Sequence, residues 1–387
     1  MLKISNGSLI TDTIEKKDLY IKDGKIFAVT NEALPFDQEI NAAGKYVCPG
    51  FIDTHVHGGG GFDFVDGDID AMRNAAKTHL THGTTSICPT TIAAPFKTLK
   101  KAIMNYKELS AETAKNKLPN FAGLHLEGPY FAASQAGGQP LDYIRNPNVK
   151  EYEELLSIGE GCIKKWTFAP ELPGSIDFCK TLVKHGCIPC IGHTDAEYKD
   201  VLSAYRAGAK ALTHFYSSMS TITRKNGYRI LGAVEAGYLI DEMYIEVIAD
   251  GIHLPPALLS MICKLKNNDK IMLITDAMRG AGMPEGPSFL GRQGEGQPCI
   301  IEDGVAKMPD RSGFAGSVAT ADRLVRTMVN EVKLPLSEAV KMLTKNPADF
   351  LSLSGKGRLK AGYDADIVLL NESIAVETVI VNGNIIL

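Results

Sequence analysis

Long apolar runs are missing from this sequence. No stretch reaches the roughly 18 uninterrupted apolar residues of a membrane-spanning helix, and the opening "MLKISNGSLITDT" lacks the apolar core of a signal peptide. The expectation is a cytoplasmic protein with no membrane partner. Basic blocks are missing too: 41 lysines and arginines stand against 45 acidic residues, a net charge of -4, which leaves no electrostatic footprint for nucleic acid. The eight cysteines are spread singly except for Cys187 and Cys190. That excludes a disulfide framework in a chain of this length, and one CxxC without a second pair reads as two small apolar strand residues. What remains is an ordinary apolar content of 44% and a role with small molecules.

At 387 residues the chain exceeds the size at which one core usually stops growing, so a large domain plus a smaller one is expected. Both ends read as short strands punctuated by turn pairs: "LKIS", Asn6-Gly7, "SLITD", "LYIKD" and "KIFAVT" at the start, then "DADIVLL", "ETVIV", Asn382-Gly383 and "NIIL" at the close. Residues 1–50 and 356–387 are therefore assigned to one small β-domain built from both termini. Across 51–355 short apolar runs alternate with helical segments, the pattern of parallel βα units. The runs are "GFIDTHVH", "TTSICPT", "FAGLHLEG", "KWTFAPE", "IPCIGHT", "ALTHFY", "IEVIADGIH" and "IMLITDAM". Eight such units close an α/β barrel of the (β/α)8 type. Between the first two, "DIDAMRNAAKTHLTHG" predicts a helix capped by Asp68 and stopped at Gly83.

Barrel chemistry gathers where strands give way to loops, and the metal-type residues of this chain fall there. His55 and His57 end the first run, His125 and Glu127 the third, His193 the fifth and His214 the sixth; His253 follows the seventh and Asp276 ends the eighth. Strand side chains alternate faces, so His55 and His57 point the same way and can grip one ion. Polar groups at such depth are unfavourable unless something pairs them, and a metal site follows. Other histidines take structural readings: His125 as a core or supporting residue, and His79, His82 and His185 in last helical turns, where partial positive charge suits the helix dipole. Gly58 to Gly61 read equally as a turn or as a wall against a ligand. Ser317 opens the helical pattern "VATADRLVRTMVNEV" and is assigned as its N-cap.

An HxH on the first strand, histidines on the fifth and sixth and an aspartate on the eighth resemble the amidohydrolase superfamily. Within it "HLEGPY", "AGGQP", "IGHTDA", "THFYSSM", "IADGIH", "TDAM", "FAGS", "NPADFLSL" and "GRLKAGYDADIVLL" are similar to the N-acetylglucosamine-6-phosphate deacetylase family, over nearly the whole chain. The resemblance implies a (β/α)8 barrel beside a terminal β-sandwich. It implies a principal divalent metal on Glu127, His193 and His214, and a second ion on His55 and His57 bridged by Glu127; zinc is the first choice, with iron, manganese or cobalt as alternatives. It further implies an amino-sugar phosphate substrate and a homodimer in which a basic residue of the neighbouring subunit meets the phosphate. Two departures stand out. Ser217-Ser218 replace the family's usual Asn-Ala, and the basic residue is Arg224 or Lys225.

The expected reaction is hydrolysis of the N-acetyl group of N-acetylglucosamine 6-phosphate, with the galactosamine isomer as the alternative. Asp276 is the expected proton carrier between water and the departing nitrogen. Gly138, Gln139, Ser217, Ser218, His253, Phe314, Ala315 and Gly316 are assigned to the substrate wall. The segment from Met283 to Asp310 is expected to form a flap or hairpin over the barrel mouth.

Overall fold

Alternate residues of one strand near the C-terminus serve two different cores. In Ile367–Leu370, Ile367 and Leu369 pack with Ile4, Leu19, Ile21, Ile26 and Val47. Val368 and Leu370 point the other way, into the large core that holds Phe51, Ile87 and Leu124. The two-residue period of an extended chain thus joins a small domain to a large one. The computed structural model describes residues 1–112 and 117–387.

The small domain is two facing sheets. One has four strands, in the order Lys25–Thr30, Asp18–Lys22, Leu2–Ser5, Gln38–Asn41; the other has six, among them Ser8–Ile10, Tyr46–Pro49, Ile367–Leu370 and Val376–Val381. Tyr46–Pro49 pairs with Ser8–Ile10 on one side and Ile367–Leu370 on the other, so the two ends of the chain are hydrogen-bonded into one sheet.

The barrel strands are β1 (Phe51–Val56), β2 (Thr84–Pro89), β3 (Leu124–Glu127), β4 (Ile163–Phe168), β5 (Ile188–Ile191), β6 (Ala211–Leu212), β7 (Tyr244–Val247) and β8 (Ile271–Leu273). Their neighbouring pairs are parallel. A bridge from Thr90 to His125 links β2 to β3, and the Asp276 amide donates to the His55 carbonyl at 2.9 Å to bring the end of β8 against β1. All eight strands coincide with the apolar runs of the sequence, because strands covered on both faces need no polar alternation. Ile52, Cys88, Cys190, Ala211 and Met272 plug the interior against Phe350 and Leu351. Cys190 is thus core filling, and Cys187 is buried in the large core.

The helix after β1 runs from Ile69 to Leu80, and Asp68 caps it by accepting from the Asp70 amide at 3.1 Å. Residues 286–317 form a four-stranded antiparallel meander, Gly286–Leu290, Gln297–Glu302, Val305–Lys307 and Phe314–Ser317, beside the barrel mouth. The N-cap assignment of Ser317 is corrected: it ends the last of those strands, and the helix begins at Ala321 after Thr320. The Ser317 hydroxyl instead accepts from the Ala319 amide at 2.9 Å, a turn contact that competes with helix start.

Candidate metal centre

Five side chains from four strands meet at one end of the barrel. Glu127 closes β3, and its Oε1 lies 2.9 Å from His214 Nε2 and 3.2 Å from His193 Nε2, with those two nitrogens 3.1 Å apart. The HxH pair approaches from β1: His55 Nε2 and His57 Nε2 are 3.2 Å apart, 3.5 Å from Glu127 Oε1 and 3.4 Å from Oε2 respectively. Asp276 Oδ1 sits on the same side, 3.1 Å from His57 and 3.3 Å from His55. All six are buried or nearly so.

The chain bends sharply to deliver them. His193, His214 and Asp276 each have φ in the left-handed region, at 49°, 35° and 46°. Such conformations are unfavourable for residues other than glycine and persist where surrounding structure fixes them, often at functional sites.

The hydrogen bonds behind the ligands decide the chemistry. His193 Nδ1 donates to the Gln135 carbonyl at 2.8 Å and His214 Nδ1 to that of Ser217 at 3.1 Å. With the proton held at Nδ1, each Nε2 presents a bare lone pair to its neighbour and to a carboxylate oxygen. A bound cation reconciles such a convergence. Glu127 with His193 and His214, and Glu127 with His55 and His57, are two groups able to hold a metal ion, and nitrogen-rich donor sets of this kind suit zinc and its neighbours. Without an ion, protons on the ring nitrogens take over its charge-balancing role. Burial opposes ionisation, yet the charges of His55 and the bonds from His193 and His214 hold Glu127 well below the usual carboxylate range. Burial likewise raises Asp276, but His55 and His57 outweigh it and bring it down to about 2. His57, disfavoured by burial, is lifted to about 9 by Asp276 and Glu127.

A cavity of about 300 Å³ opens onto these groups. Gly138, Gln139, Ser217, Ser218, His253, Phe314, Ala315 and Gly316 all line it, so the sequence-derived wall residues are brought together. Gly138 has to be small: a Cβ there would lie 2.8 Å from the Ala315 carbonyl oxygen. His253 packs against Phe314 with the rings tilted by 51° and their centres 4.8 Å apart, and Asp250 holds its Nδ1 at 2.7 Å.

The sequence profile of the amidohydrolase family matches residues 46–386. The chain belongs to the amidohydrolase family. It is 35% identical over 377 residues to the N-acetylglucosamine-6-phosphate deacetylase of Lysinibacillus sphaericus, covering 96% of this chain and 93% of that one. It is 31% identical over 373 residues to the N-acetylgalactosamine-6-phosphate deacetylase of Escherichia coli O157:H7, with 96% and 95% covered. Among solved structures, a substituted N-acetyl-D-glucosamine-6-phosphate deacetylase of Mycobacterium smegmatis, in complex with N-acetyl-D-glucosamine-6-phosphate, superposes with a TM-score of 0.91 at 30% identity, covering 100% of this chain and 99% of that one.

In this amidohydrolase the remaining sequence-assigned residues take up supporting or exposed places. Arg224 and Lys225 are not at the cavity; they lie on an exposed hairpin, Thr223–Lys225 with Tyr228–Ile230. Gln139 does more than line the wall. Its Oε1 accepts from the Ala93 amide at 2.7 Å, which turns its Nε2 to donate to Glu127 Oε2 at 2.5 Å. No sequence signal marked that bond. Gly58 to Gly61 form a turn: Gly58–Gly59 pairs with Phe62–Asp63, and a Cβ at Gly58 would lie 2.2 Å from the Phe62 carbonyl oxygen. His79 carries no helix-end charge. Burial pushes it down to about 4, so it is neutral, and its Nε2 donates to the Gly58 carbonyl at 2.7 Å. His125 is a supporting residue, held between Thr90 and Thr167 and packed edge-on to His55 at 4.6 Å.

Proposed function

We propose that this chain is a metal-dependent deacetylase that hydrolyses N-acetylglucosamine 6-phosphate to glucosamine 6-phosphate and acetate. The observation that carries the proposal is the meeting of Glu127, His193 and His214, the HxH pair and Asp276 at one cavity. A relative of that activity at 35% identity supports the choice of substrate. Glu127, His193 and His214 hold the principal ion, and His55 with His57 hold a second that Glu127 shares. A divalent ion there supplies positive charge that polarises an amide carbonyl and eases the ionisation of water near neutral pH. Asp276, anchored beside His55 and His57, takes the proton of the attacking water and returns it to the departing nitrogen, since an amine leaves poorly unless protonated. Gln139 keeps Glu127 in place. Ser217, Ser218, Gly138, Gly316, His253 and Phe314 border the sugar.

Zinc is the ion we favour, and the cytoplasm, where a charged sugar phosphate is retained, is the compartment we propose. None of the described residues lining the cavity is a lysine or arginine. The phosphate dianion therefore needs cations from outside, and the exposed Arg224 and Lys225 of a second copy in a homodimer fill that need. The division into a sandwich of residues 1–50 with 356–387 and a catalytic barrel of 51–355 belongs to the same proposal.

The galactosamine isomer is a second reading, favoured by Ser217-Ser218 at the wall and by a relative of that activity at 31% identity. Acetate release measured side by side on both 6-phosphorylated sugars and on unphosphorylated N-acetylglucosamine separates the readings. The expected order is the glucosamine phosphate fastest and the unphosphorylated sugar at least about tenfold slower in kcat/KM, the discrimination of a lost ionic contact. Equal rates with and without phosphate remove the sugar-phosphate class.

A further inference from the structure

Two charged side chains deep in the barrel have no part in the chemistry above. Lys165 on β4 and Glu246 on β7 are fully buried. The Lys165 ammonium contacts Glu246 Oε1, which also accepts from Thr54 Oγ1 at 2.8 Å. The other oxygen, Glu246 Oε2, faces His55 Nδ1 at 3.5 Å. Those two atoms are buried, and neither has a hydrogen-bond partner in place.

A fully desolvated lysine–glutamate pair contributes little to stability, and apolar residues of the same volume often replace one without loss. The barrel interior nearby already takes Cys88, Cys190 and Met272, so space filling does not explain the pair. The facing atoms do. A metal-binding imidazole commonly rests its second ring nitrogen on an acceptor, which fixes the tautomer and aims the ligand nitrogen. His193 and His214 have such acceptors in the carbonyls of Gln135 and Ser217. His57 Nδ1 has none among the described residues, so the aim of the HxH pair falls to His55. A small rotation of the imidazole closes the 3.5 Å gap to Glu246, and no other partner competes for either atom.

We infer that Glu246 is the positioning residue of the second ion site: its Oε2 accepts a hydrogen bond from the Nδ1–H of His55 so that Nε2 faces the ion, and Lys165 balances and orients its carboxylate. The inference rests on the reading of His55 and His57 as ligands of a second ion.

The test counts zinc ions bound by the full-length protein across a series of buffered free-zinc concentrations, alongside thermal melting. The wild type is expected to bind two ions. The charge-neutral double variant Lys165→Met/Glu246→Gln is expected to melt near the wild-type temperature and to hold the second ion about 10–100-fold more weakly, with the first unchanged. Glu246→Asp, which keeps a partner for Lys165 but withdraws the carboxylate by one methylene, is expected to weaken the same ion. A pair that is merely structural moves the melting temperature and leaves both affinities alone; that result, in either variant that folds, overturns the inference. A wild type that binds a single ion, untouched by His55→Ala, overturns the two-ion reading and this inference with it.

Discussion

Asp276 is the residue at which metal binding and turnover separate. Its Oδ1 touches His55 and His57 but it belongs to neither group of metal ligands. Asp276→Asn keeps shape and hydrogen bonding while removing the proton acceptor. We expect kcat to fall by about 10²–10⁴-fold with zinc content unchanged, read by acetate release and elemental analysis on the same preparation. His79 sets a pH dependence of a different kind. It is neutral in the folded chain because burial brings it down to about 4, and its Nδ1 is buried with no partner for a proton. The unfolded chain, with an ordinary value of 6.5, takes up the proton first. Its contribution to stability is therefore complete above pH 6.5 and is lost as pH falls from 6.5 toward 4. Urea unfolding of wild type and His79→Gln at pH 7.5 and pH 5 should show a steeper acid loss in the wild type, by up to roughly 2 kcal/mol. Equal losses contradict the assignment.

Elements were legible in proportion to how completely they are buried. Each barrel strand is covered on both faces, so the runs from "GFIDTHVH" to "IMLITDAM" announced themselves, and ligands were visible as polar interruptions at their ends. The same logic hid Lys165 and Glu246. Within "KKWTF" and "IEVIAD" they resemble the exposed charges that flank any strand, and only the three-dimensional pairing shows them buried. Gln139 was found as wall but not as the support of Glu127, because that bond joins residues 12 apart through a loop with no periodicity. The Ser317 error has a local cause: a strand that ends in a turn of small residues carries the same serine–alanine–threonine signature as a helix start. The hairpin Thr223–Ile230 is the element to which the proposed homodimer gives a role. Arg224→Ala/Lys225→Ala should raise KM for the phosphorylated substrate by about tenfold or more, as loss of a charged hydrogen bond predicts, and leave the weak turnover of the unphosphorylated sugar unaltered. Steady-state kinetics on both sugars would show it, and parallel changes in the two KM values would speak against a phosphate contact.

At the scale of the whole molecule, the strand Ile367–Leu370 ties the small sandwich to the barrel, and the barrel brings residues from position 55 to position 276 to one rim. The fold class followed from counting runs, whereas the shared centre required the closing contact between β8 and β1, where the Asp276 amide meets the His55 carbonyl. The proposed function requires this centre to hold a metal ion against an acetamide. Acetate release from N-acetylglucosamine 6-phosphate, followed as the protein is stripped by chelator and reloaded with zinc, tests it most directly. The predicted result is loss of activity to background on stripping and recovery in proportion to zinc bound at Glu127, His193 and His214. Full activity in the stripped protein, or no acetate from the fully loaded one, would contradict it.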